Sequence, residues 1–106
     1  MISEETLAQA VKILVETAHP KCVILFGSYA RGTAHDDSDA DFLVIQLQPV
    51  NKAQEMIRLR RALRPLHIPV DVLVFSQREI DDWGHLPGTI IYSALQEGKV
   101  MNEASH

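Results

Sequence analysis

Three short runs of apolar, β-favouring residues decide what this chain can become: Lys21–Phe26, Ala40–Gln46 and Pro69–Phe75. Each is dense in Val, Ile, Leu and Phe and is bounded by glycine, proline or polar residues, the pattern of strands buried in a sheet. The segments between them carry helical spacing instead. Leu7, Val11, Leu14 and Ala18 recur along one helical face behind a candidate N-cap at Ser3, and Glu4 and Glu5 suit the positive end of that helix. His19-Pro20 stops it, because a residue before proline disfavours the α region.

A second long helix is expected from Lys52 to about Arg64, with Met56, Leu59 and Leu63 on one side and Pro65 as its terminator. Ser76 caps a short helix through Trp83. Thr89 to Glu97 forms a last helix closed by Gly98, and Lys99 to Met101 a terminal strand. Helices alternating with strands give an α/β or α+β class, with helices packed on a small mixed sheet. Residues 1–106 fit one domain.

The composition removes several function classes. One cysteine, Cys22, allows no internal disulfide. No run of roughly 18 apolar residues exists to span a bilayer. The start, Met1-Ile2-Ser3-Glu4-Glu5, lacks the basic and apolar regions of a signal peptide, so the expectation is cytoplasmic. A net charge of −4 argues against direct binding to nucleic acid and leaves room for a single nucleotide.

The chemistry-bearing residues lie around the second and third strands. Asp39 and Asp41 are two apart at the start of a strand, so their carboxylates project to the same face. Asp71 stands among Val70, Val72, Leu73 and Val74, where an aspartate is expected to be buried and in need of a partner; by itself it reads either as part of a site or as a structural acid paired to an arginine. If those strands are neighbours, three carboxylates converge and repel one another. A hard divalent cation such as Mg²⁺ relieves that repulsion and takes its remaining ligands from water and phosphates. Two such ions can clamp the attacking and leaving oxygens of a phosphoryl displacement. Gly27-Ser28 follows the first strand and opens a short helical turn closed by Gly32. A glycine there lets a phosphate approach the backbone, where the turn's N–H groups and the Ser28 hydroxyl can hold it.

Other residues carry two readings each. Arg31 could reach nucleotide phosphates or pair with Asp36 or Asp37. Arg58, Arg61 and Arg64, with Arg60 beside them, could contact phosphate, but read better as a solvated helix face or a partner contact. His19, His35, His67, His85 and His106 show no metal-ligand spacing. Cys22 reads as core rather than as a nucleophile. Trp83 and Leu86 are either an interface anchor or the local end of the core. Tyr29 and Tyr92 read as packing.

Gly27-Ser28, ten residues, Asp39, one residue and Asp41 together resemble the signature of the polymerase-β-like nucleotidyltransferase superfamily. The string from Gly27 to Ala34, then Ser38 to Val44, is similar to its minimal nucleotidyltransferase (MNT) branch. Val70–Val74 resembles the branch's strand with a third aspartate, and Ile90 to Val100 its ending. The resemblance implies that Gly27 and Ser28 bind a triphosphate, and that Asp39, Asp41 and Asp71 bind two Mg²⁺ ions. It also implies that Asp71 helps deprotonate an attacking hydroxyl. The implied reaction is transfer of a nucleoside monophosphate, AMP from ATP, with loss of pyrophosphate. The implied partner is a HEPN-type toxin, modified on a tyrosine, with the MNT protein as antitoxin. Two alternatives stand beside it. One is an idle site in an antitoxin that acts by binding alone. The other is a transferase for a small molecule such as an antibiotic, in which a homodimer could supply the acceptor-holding half.

Overall fold

The computed structural model describes residues 1–104, so His106 lies outside the described residues. The first helix, α1, runs Glu4–Ala18, and the Ser3 hydroxyl accepts from the Thr6 N–H at 3.1 Å, as an N-cap does. The chain then forms β1 (Cys22–Phe26), the short helix α2 (Ser28–Arg31), β2 (Ala40–Gln46) and α3 (Lys52–Leu63). After β3 (Val70–Ser76) come α4 (Gln77–Trp83), α5 (Ile90–Glu97) and β4 (Lys99–Glu103). The expected strands and helices are all present, with ends moved by one or two residues.

Two terminations differ from expectation in their geometry. Pro65 does not cut α3 off sharply; the helix tightens into a 3-10 turn at Arg64–Leu66, where proline lacks no needed N–H. His19 ends α1 in the left-handed region, φ 46°, rather than in the extended region usual before proline. Its N–H bonds to the Val15 carbonyl at 2.9 Å, which offsets part of that strain.

The strands form one mixed sheet in the order β3-β2-β1-β4. β1 pairs antiparallel with both β2 and β4, while β2 and β3 run parallel. Parallel pairing needs a crossover, and α3 supplies it. Alternation along each strand then sorts the side chains. Val23, Leu25, Ala40, Phe42, Val44, Val72 and Val74 share a core with Leu7, Ala10, Leu14, Leu59 and Leu63 of α1 and α3. Cys22, Ile24, Phe26, Leu43 and Ile45 form a second, smaller core with Ala94 of α5, with Leu73, Phe75 and Ile80 packed against it. Among the described residues, no helix is long and apolar enough to cross a membrane.

Candidate active site

Asp41 and Asp71 belong to the rows that face α4 and α5, one step beyond Leu43 and Leu73. The helices do not cover that end. The parallel register sets Asp41 directly beside Asp71, and the antiparallel register sets it beside Phe26, the residue before Gly27. Asp39 lies just ahead of β2, and its approach is locked. Ser38 is buried, its hydroxyl accepts from the His35 N–H, its own N–H donates to the His35 carbonyl, and the Ala40 N–H bonds to Pro69, each at 2.9–3.0 Å. His35 is thereby a structural member of that loop.

Gly27 has two reasons to be glycine. Its backbone sits at φ 73°, ψ −153°, a region closed to side-chain-bearing residues. A Cβ there would also overlap the Asp41 carboxylate oxygen. The bare backbone and the carboxylate therefore share one small space, and Gly27 brings no side chain to cap the start of α2.

That space opens into a cleft of about 490 Å³ lined by Gly27, Ser28, Arg31 and Asp41 on one side and by Gly88, Thr89, Ser93 and Glu97 on the other. Of the residues expected to be functional, Gly27, Ser28 and Asp41 line it, whereas Asp39 and Asp71 stand outside its wall. Both act on it electrostatically. Burial raises the Asp41 carboxyl above its ordinary pKa, the Asp71 and Asp39 charges raise it further, and Arg31 opposes them. The opposite wall was not singled out in the sequence. Its signal was there: Thr89, Ser93 and Glu97 form a polar line at i, i+4 spacing along a helix whose other side is apolar.

Three expectations are corrected. Asp71 is not buried: its side chain is 44% exposed, because β3 is an edge strand and its odd-numbered row is uncovered at that end. It does have a partner, Arg60 of α3. Arg31 pairs with neither Asp36 nor Asp37 but with Glu97, at 3.0 Å along the cleft. Arg60 is not a bare solvated residue, since its guanidinium grips Asp71. Cys22 is buried, and burial together with Glu103 pushes its thiol pKa up, which leaves it a core residue. Tyr29 packs on the main core, and its hydroxyl accepts from the Ile2 N–H at 2.9 Å. Trp83 is exposed (51%).

Among the described residues, no three His, Cys, Asp or Glu side chains are gathered into a ready-made metal cage. The donor set nevertheless suits Mg²⁺, which is held by one or two protein carboxylates and completes its shell from water and phosphate. The negative charge crowded around Asp41 is of the kind a bound cation would relieve.

Comparison with known proteins places this geometry. The family model described as polymerase beta, nucleotidyltransferase matches residues 8–106. No protein of curated function matches significantly. A solved structure provisionally described as a minimal nucleotidyltransferase is 31% identical, with a TM-score of 0.60, covering 93% of this chain and 95% of that one. The spectinomycin adenyltransferase of Enterococcus faecialis, solved with ATP and spectinomycin, superposes with a TM-score of 0.75 at 19% identity. That match covers 98% of this chain and 57% of that one. The tri-AMPylated HEPN toxin of Shewanella oneidensis in complex with MNT antitoxin gives a TM-score of 0.62 at 16% identity, covering 95% and 72%. Below a quarter identity such likeness speaks for the fold alone. The family match spans nearly the whole chain and includes the Gly27 turn and the aspartate-bearing strands, so the protein belongs to the polymerase beta nucleotidyltransferase family.

Proposed function

We propose that the protein is an Mg²⁺-dependent adenylyltransferase of the minimal nucleotidyltransferase branch, acting in the cytoplasm on a HEPN-type toxin partner as its antitoxin. The observation that carries the reading is the bare Gly27 backbone facing the Asp41 carboxylate at the mouth of the cleft, with Asp71 in register beside Asp41. A triphosphate needs donors that can approach it closely and a cation that neutralises it. Gly27, Ser28 and the start of α2 are suited to the first task. Asp39, Asp41 and Asp71 would hold the second. Bound Mg²⁺ would supply charge neutralisation on the transferring phosphoryl group and lower the pKa of an attacking hydroxyl.

The chain's own residues then orient the reaction. A tyrosine hydroxyl oxygen attacks the α-phosphorus of ATP and a new P–O bond forms. The bond from the α-phosphorus to the oxygen bridging the β-phosphate breaks, and pyrophosphate leaves with the electron pair. The hydroxyl proton passes to Asp71. Arg31 lines the cleft in an ion pair with Glu97, and its guanidinium would turn to the phosphates when a nucleotide enters. Because so little covalent work falls to the protein, placement and electrostatics carry the catalysis.

The test is transfer of label from α-labelled ATP with Mg²⁺ to a HEPN-type helical partner. Asp39→Asn and Asp41→Asn are expected to lower transfer by at least about 100-fold, the scale of losing a transition-state charge contact. Full transfer by both variants would sink the metal assignment. Neutralisation of the toxin by those inactive variants would favour the binding-only antitoxin. A second reading rests on the likeness to spectinomycin adenyltransferase: label entering an antibiotic hydroxyl with no partner protein present would make the acceptor a small molecule.

A further inference from the structure

We propose that Arg60 is the resident counter-ion of the catalytic carboxylates: it holds Asp71 in the metal-free protein and gives it up when a divalent cation enters. The inference rests on the proposed metal role of Asp39, Asp41 and Asp71, and deepens it. Among the described residues, Arg60 alone makes an ion pair with any of those three aspartates. α3 packs directly on β3, yet the pairing joins side chains from opposite sides of the sheet. α3 packs through Leu59 and Leu63 on the Phe42–Val44 side of the sheet, whereas Asp71 belongs to the opposite row with Leu73 and Phe75. Arg60 reaches Asp71 because β3 is the edge strand, so a long side chain from one layer can bend round it to the other.

The strength of the pair decides its role. Both partners are about half exposed, 47% for Arg60 and 44% for Asp71. A pair of that kind shifts an equilibrium by only a few-fold. A buried structural pair would resist exchange, because each charge would be stranded without the other. This one can open. A divalent cation brings twice the charge to a place where Asp41 lies in register beside Asp71 and feels the Asp39 charge as well, so it relieves Asp41 together with Asp71. The guanidinium relieves only the carboxylate it touches. Arg31 cannot serve in the same way, since its guanidinium is engaged by Glu97. The pair sets one positive charge beside Asp71 before a metal enters, and that charge competes with the incoming ion.

The test is binding of Mn²⁺ alone to the full chain, followed by electron paramagnetic resonance of the free ion, with no nucleotide present. Arg60→Gln is expected to bind Mn²⁺ at least about threefold tighter than the wild type, with Arg60→Lys between them. The rise in Tm on adding Mn²⁺ should be larger for Arg60→Gln in the same order. Arg61→Gln controls for the long-range loss of one positive charge and should leave the affinity near wild type. In an Asp71→Asn background, Arg60→Gln should add nothing, as expected if the two act on one another. An unchanged or weaker affinity in Arg60→Gln would overturn the proposal, as would an equal gain in Arg61→Gln or a gain that persists without Asp71. Asp41→Asn separates this from the underlying reading. If it keeps wild-type Mn²⁺ binding, the carboxylate metal site itself is wrong. If it abolishes binding while Arg60→Gln gains nothing, the counter-ion role alone fails. Absence of Mn²⁺ uptake by every form rejects both.

Discussion

The two faces of the sheet are made from the same strands and do opposite work. The face toward α1 and α3 is closed: Phe42, Val44, Val72 and Val74 are sealed against Leu14, Leu59 and Leu63. The face toward α4 and α5 is closed over Cys22, Ile24, Phe26, Leu43 and Ile45, and ends in Asp41, Asp71 and a cleft. Neighbouring residues of β2 therefore face different surroundings, Phe42 the sealed core and Asp41 the cleft. The division follows from the two-residue period of a strand, which lets one chain segment carry a dry row and a charged row without either disturbing the other.

The sharpest test of that division compares adjacent substitutions. Phe42→Ala should cost about 3–5 kcal/mol by chemical denaturation, since the ring is fully buried and leaves a cavity. A loss below about 1 kcal/mol would show that this face is looser than its burial implies. Gly27→Ala comes next. It forces a side chain into a backbone region reserved for glycine and against the Asp41 carboxylate, at a cost of about 1–3 kcal/mol. Nucleotide affinity should fall with it, measured by titration of ATP, because the same Cβ fills the space a phosphate would enter.

Asp41→Asn should have the opposite sign from Phe42→Ala. Measured in chelator, the metal-free protein should become more stable by up to ~1 kcal/mol, because burial and the Asp71 and Asp39 charges disfavour the ionised carboxylate. A stability unchanged or lowered at neutral pH would mean that the cleft end is as relaxed as the core face.

The smallest effect concerns α4, which walls the open face. Glu79 is partly buried, which raises its pKa. The hydrogen bond from Lys52 and those from the Ser76 backbone and hydroxyl more than offset this, so the net shift is downward. A carboxyl with a lowered folded pKa stabilises the fold above its unfolded value, here 4.5, and loses that contribution as the pH falls through the folded value. Glu79→Gln keeps the capping-box geometry. It should cost about 0.5 kcal/mol at pH 7 and nothing at pH 3, so the two denaturation curves converge on acidification. Equal gaps at both pH values would place the effect in packing instead.

Much of this was legible in the chain itself, for reasons local to each segment. Ser3, Ser76 and Thr89 announce helix starts because a hydroxyl can satisfy a free N–H wherever the fold puts it. The Gly27-Ser28 turn follows from backbone sterics, which need no tertiary information; strand period places Asp41 on its row, while Asp39 lies just ahead of β2 and outside the cleft wall. The burial of Asp71 was misjudged from its apolar neighbours, because a run such as Val70-Asp71-Val72-Leu73 reads alike in a central strand and at a sheet edge. The partners of Arg31 and Arg60 lie 66 and 11 residues away, beyond any local pattern.

By itself, then, the sequence determined the order of elements, the bare glycine that follows β1 at Gly27 and which carboxylates lie along β2 and β3, since these depend on side-chain type and short-range geometry. Only the tertiary structure decided that β2 and β3 lie parallel with Asp41 beside Asp71, that α5 supplies the far wall of the cleft, and that Arg60 bends round the sheet edge to Asp71. Strand order and register are set by the burial of the whole sheet between two helix layers. No segment carries that information until the others are packed against it.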